Sequence, residues 1–140
     1  IAVGTVANAF DRSLRSLVER WDGTTWTATI GVDRSTLTLN GVACVSATMC
    51  FAVGSDGDLP VVKQWDGAAL STVALADAPA TASLSAVVCP TAGSCFAVGD
   101  RQDDAGDNPL AARWSGSSWS VTTTRAAGSV AVGVFSNSTW

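Results

Sequence analysis

The residues with the most distinctive spacing are four cysteines, Cys44 with Cys50 and Cys89 with Cys95, each pair written C-x5-C. Cysteines so placed either form disulfides or bind a metal. Zinc is the alternative, but the two pairs lie far apart, the spacing is not that of a zinc ribbon, and the chain has no histidine. Disulfides are expected, and with them an oxidising compartment. A second set of residues, Trp21, Asp22, Trp65, Asp66 and Trp114, recurs at matching points of the chain. Such tryptophans could stack on sugar rings while the aspartates accept hydrogen bonds from hydroxyls. The other reading is packing, since stacked repeats need large apolar groups at equivalent positions. Ser115 stands where the third aspartate would be. The third set is the acidic stretch GDRQDDAGDN, with Asp100, Asp103, Asp104 and Asp107. Carboxylates beside a glycine are hard oxygen ligands suited to calcium. Their spacing is not that of an EF-hand, and the corresponding stretch one repeat earlier keeps only Asp56 and Asp58. A solvated acidic loop between two strands is the alternative.

Composition removes most other chemistry. The absence of histidine and tyrosine takes away the commonest general base, the commonest metal ligand and a phenolic nucleophile. Glu19 is the sole glutamate, and Arg12, Arg15, Arg20 and Arg34 are confined to the first quarter of the chain. A glycosidase would need a carboxylate pair, so no catalytic residues are assigned and an enzyme is not expected from this chain alone. Eight basic residues against twelve acidic ones, with Lys63 the only lysine, give no positive stripe for nucleic acid. No apolar run approaches membrane-spanning length. With 47% hydrophobic and 14% charged residues, the chain is apolar enough to bury a core. Ile1 is not an initiator methionine, which points to a processed chain or a piece of a longer one, with any signal peptide already removed.

The elements that position these residues are repeats. AVG begins at Ala2, Ala52 and Ala97, and each is followed by a second word: ERWDGTTW from Glu19, KQWDGAAL from Lys63 and ARWSGSSW from Ala112. The period of about 45 to 50 residues is of propeller-blade size. In the third copy, LSAVVC from Leu84 and CFAVG from Cys95 are apolar and β-branched and read as a hairpin. PLAARW from Pro109 and SWSVTTT from Ser118, separated by a Ser-Gly turn, read as another. Four short strands per unit and no helical periodicity predict an all-β fold of four-stranded antiparallel β-propeller blades. Within each blade the cysteine pair would join the first two strands across a five-residue loop, where antiparallel partners lie about 5.5 Å apart.

The words VACVSATMCFAVG, SAVVCPTAGSCFAVG, QWDGAAL and ARWSGSSW resemble repeats of secreted actinobacterial β-propeller proteins. WDGTTW is also similar to the Asp-box turn of sialidase-like propellers, in a form one residue shorter. In those families the turn joins the third and fourth strands and is structural, so the resemblance carries over no active-site residue. Counted along the repeats, the strands make about three blades: residues 1 to 34, lacking a first strand, 35 to 80, and 81 to 127. A further strand within 128 to 140 would either complete the first blade or begin another, and VAVG from Val130 also resembles a second strand. Three blades are too few for an ordinary ring, so the chain is expected to belong to a longer propeller or to join identical copies, for instance two into six blades. Asn137-Ser138-Thr139 is a formal glycosylation sequon. The expected role is a secreted, lectin-like binding module for glycans or cell surfaces. A protein-interaction scaffold is the alternative, and membership of a glycoside hydrolase with its catalytic residues elsewhere is a third.

Overall fold

The computed structural model describes residues 1–31 and 36–123; the readings placed on Arg34 and on 128–140 lie outside them. The described residues form twelve strands and no helix, so none is a helix long and apolar enough to cross a membrane. β1 (Ala2–Ala7), β2 (Leu14–Trp21) and β3 (Trp26–Ile30) make a three-stranded antiparallel sheet. β4 (Leu37–Ser46), β5 (Met49–Asp56), β6 (Leu59–Trp65) and β7 (Leu70–Val73) make a four-stranded one. In the third, β9 (Ala82–Thr91), β10 (Ser94–Asp103), β11 (Gly106–Trp114) and β12 (Trp119–Thr123) are antiparallel, and β8 (Leu75–Ala76) adds a parallel fifth strand beside β12. All-β structure in antiparallel sheets is as the sequence predicts. No sheet closes on itself among the described residues.

The sheets pack through their repeat words. β4 lies against β1 on one side and β9 on the other, so the second sheet is covered on both faces. This explains why Phe51, Ala52 and Val53 are consecutive and all fully buried: successive side chains enter opposite interfaces. One core joins Phe51, Val53 and Val62 of the second sheet to Leu84, Cys95, Ala97, Leu110, Ala112, Trp114 and Trp119 of the third. Smaller clusters join the first and second sheets: Val18, Cys50 and Trp65 with Ile1 and Val3, and Leu37, Leu39 and Ala52 with Val3. Polar ties cross the same interfaces. Thr5 Oγ1 accepts from the Leu39 amide at 3.3 Å, and Asn40 Nδ2 donates to the Leu84 carbonyl at 2.8 Å.

Asn40 sits in a bulge, because Leu39 pairs with Gly54 and Gly41 with Val53; Ser85 does the same where Leu84 pairs with Gly99 and Ala86 with Val98. The bulge presses the first strand onto the glycine of the AVG word. A Cβ on Gly54 would collide with the Thr38 carbonyl oxygen and one on Gly99 with that of Ser83, whereas Gly4 has nothing within 4 Å among the described residues, where its sheet starts at the second strand of the pattern.

Both expected disulfides are present, Cys44–Cys50 and Cys89–Cys95, and mark an oxidising compartment. Each closes a short loop and contributes about 2 kcal/mol by loop entropy. The expected five-residue loop is corrected. The strands run on past the cysteines to Ser46 and Met49, so Cys44 and Cys50 are direct cross-strand partners with Cα atoms 3.9 Å apart rather than the wider spacing anticipated. The acidic stretch is corrected likewise. GDRQDDAGDN is not a loop but the end of β10 and start of β11, paired from Asp100↔Pro109 to Asp103↔Gly106 around a two-residue turn. Leu75–Ala76, expected in the second unit, hydrogen-bonds to the third sheet.

Candidate binding site

The repeated tryptophan words form one kind of turn at three places. Trp21 pairs with Trp26, Trp65 with Leu70 and Trp114 with Trp119, leaving four turn residues each time. The first turn residue closes the loop by donating its amide to the fourth residue's carbonyl: Asp22 to Thr25 at 3.2 Å, Asp66 to Ala69 at 3.3 Å, Ser115 to Ser118 at 3.1 Å. The next residue adopts φ of 103° at Gly23, 102° at Gly67 and 94° at Gly116, a backbone region that only glycine enters without strain. That requirement, together with the pairing, accounts for the shared Gly of the word.

The aspartates are committed to these turns. Asp22 Oδ1 accepts from the amides of Thr24 and Thr25, both at 2.8 Å, and its Oδ2 from the Thr25 hydroxyl at 3.0 Å. Asp66 Oδ1 accepts from Ala68 and Ala69 at 2.8 and 2.9 Å. Amides aimed at a carboxylate favour its charged form, so the Thr25 amide, then that of Thr24, holds the Asp22 carboxyl below the ordinary aspartate value of 3.8. The Ala69 amide, then that of Ala68, does the same for Asp66. A carboxylate with a depressed folded-state pKa stabilises the fold above its unfolded value and loses that contribution as pH falls through the folded one. We therefore expect acid weakening of the two turns to begin near pH 4 and be complete only below their own midpoints. Carbon-13 titration of the two carboxyls should give midpoints below 3.8, and a midpoint at or above it would contradict the bonding described.

The tryptophans separate into two groups. Trp65, Trp114 and Trp119 are buried; Trp21 and Trp26 are exposed, with ring centroids 5.4 Å apart. Trp114 Nε1 donates to the Ala92 carbonyl at 3.1 Å, while the buried Trp65 Nε1 has no acceptor among the described residues. The acidic residues are not gathered around one point. Asp103 accepts from the Ala105 amide at 2.9 Å and Asn108 Nδ2 at 3.0 Å and pairs with Arg101 at 3.3 Å, and Asp107 accepts from Gln102 Nε2 at 3.2 Å. Among the described residues no group of three or more His, Cys, Asp or Glu side chains could hold a metal ion.

Concave space lies between the first and second sheets. Two adjoining hollows, of about 280 and 250 Å³, share Val18, Thr29, Trp65 and Ala68. Ser16, Ile30, Lys63 and Leu70 line the first; Arg20, Asp22, Thr27 and Gly67 line the second. The cause is a pair of substitutions in the repeat. Where the second and third sheets meet, Phe51 fills the space against Trp114 and Trp119, with centroids 5.0 and 5.3 Å away. At the first junction the corresponding residues are Ile1, Trp65 and Leu70, which occupy less volume. Of the residues singled out from sequence, the cleft brings together Trp65 and Asp22. Asp66 does not line either hollow, Trp114 belongs to the other junction, and Trp21 lies on the far face of the first sheet. The threonines, Arg20 and Lys63 were missed, and the smaller residues at positions 1 and 70 were the signal that could have found them. In comparisons with known proteins, no family model, no curated protein and no solved structure matches this chain.

Proposed function

We propose that the chain is a secreted, non-catalytic binding module of propeller type that recognises carbohydrate in the cleft between its first and second sheets. The observation that carries this reading is the cleft itself: an apolar floor of Val18, Trp65 and Leu70 under a rim of hydroxyls and charges from Ser16, Thr27, Thr29, Arg20, Asp22 and Lys63. A sugar ring has the matching character, with apolar C–H faces and hydroxyls around its edge. Each hollow falls just under the roughly 300–1,000 Å³ of sites for drug-sized ligands, which suits one or two rings. The two disulfides fit an extracellular life, where glycans are displayed. The residues lining the cleft include neither a carboxylate pair nor a histidine, which favours binding over hydrolysis.

A protein-interaction scaffold is the second reading, favoured by the two exposed tryptophans on the opposite face of the first sheet. A glycan-array screen separates them. The oxidised protein should bind one sugar class saturably, and Thr29→Trp, which fills the cleft from an exposed strand, should weaken that binding at least tenfold without loss of folding. A blank array, or binding indifferent to the filled cleft, would sink the carbohydrate reading.

A further inference from the structure

The junction between the second and third sheets shows how one repeat receives the next. The second sheet offers Phe51, Val53 and Val62, all fully buried, to a socket in which Trp114 and Trp119 stand 6.1 Å apart at an interplanar angle of 42°. The registers place the same two surfaces at the two ends of the stack. On the outer side of the third sheet, Phe96, Val98 and Ala111 occupy the positions of Phe51, Val53 and Val62, and Phe96 is 42% exposed. On the outer side of the first sheet, Trp21 and Trp26 occupy the positions of Trp114 and Trp119, at 47% and 56% exposure. Their rings stand 5.4 Å apart at 43°, the same tilt as the filled socket. Among the described residues, one end of the stack carries a knob and the other a socket, with nothing seated in it, of the kind that already holds that knob inside the chain.

We infer that a second copy of this chain docks head to tail, seating its Phe96 against Trp21 and Trp26. Charge supports the match. Arg113 lies over the Phe96 ring at 6.0 Å, and Glu19 shares the face of Leu17 and Trp21 on β2, because alternate strand residues point the same way. Inside the chain these two positions are the neutral Gln64 and Ala112, so the positions beside the rings are oppositely charged on the outer surfaces, with Arg15 and Asp100 further along the same two faces of β2 and β10. The contact is heterologous: knob and socket are different patches, and the same contact made twice joins two copies into a ring of six sheets. Six lies within the range in which such sheets close around an axis.

The test is the mass in solution of the full, oxidised chain, by sedimentation over a concentration series. A species of at least twice 14.2 kDa that builds up with concentration is expected. Phe96→Asp and the double variant Trp21→Ser with Trp26→Ser should each be monomeric alone. All three positions are exposed, so circular dichroism should report folded protein. Mixed together, the two variants should form a one-to-one complex, because one keeps the socket and the other the knob. A wild-type chain that stays at 14.2 kDa, a Phe96→Asp variant that still dimerises, or a mixture that does not associate would each overturn the inference.

Discussion

Gly99→Ala should cost about 3 kcal/mol of stability, while Gly4→Ala, the same letter of the same AVG word, should change it by less than about 0.5 kcal/mol. At Gly99 an added Cβ meets the Ser83 carbonyl oxygen and the Leu84 Cα, which are backbone and move only if the bulge at Ser85 is undone. At Gly4 an added Cβ meets nothing within 4 Å among the described residues. Urea unfolding of the two variants, with unchanged slope, measures the difference. Equal effects at the two positions would mean that the glycines serve strand propensity alone and not the close approach of the first strand. Gly54→Ala should behave as Gly99→Ala, since the Thr38 carbonyl stands in the same relation to it.

Phe51→Ala should be the costlier change, about 4 kcal/mol, because a fully buried ring is removed from between Trp114 and Trp119 and from the largest core of the protein. Against a total of roughly 5–15 kcal/mol for a domain of this kind, that loss places the variant near the edge of folding. Phe96→Ala, the same residue of the same word one repeat later, should cost less than about 1 kcal/mol in dilute solution, because its ring is 42% exposed and no further sheet among the described residues packs on it. Thermal melts of the two variants provide the comparison, and a Phe96→Ala change as damaging as Phe51→Ala would show that position in the stack does not set the cost.

Much of this organisation was legible in the sequence because strands and turns are written in short words. Alternation and β-branching marked β9 to β12, the Trp-Asp-Gly words marked the tight turns, and the matched cysteine spacing marked the two disulfides. Features that depend on partners distant in sequence were not legible. The segment from Asp100 to Asp107 has the composition of a loop, yet cross-strand pairing with β11 carries it as strand up to a two-residue turn. Leu75 and Ala76 are too few to signal a strand, and only the exposed edge of β12 recruits them. The words made Trp21, Trp65 and Trp114 equivalent, but position in the stack makes them different: one exposed, two buried. The cleft arises from a deficit of volume between two sheets, visible only once Ile1 and Leu70 are known to face the same space.

The short β8 strand has a consequence for how the protein comes apart. By hydrogen-bonding the connection between the second and third sheets to β12, and with the largest core and a disulfide in each of those sheets, it makes them one cooperative unit. The first sheet has no such strap or cross-link among the described residues, β3 is exposed along its whole length, and Ser16 and Val18 are its only buried side chains. Amide protons of β1 to β3 therefore belong to the fast-exchanging end of the protein, opening without global unfolding. Because the first sheet is one wall of the cleft, a ligand held there would be a clamp on the least stable part of the fold, and its signature would be slowed exchange in that sheet alone.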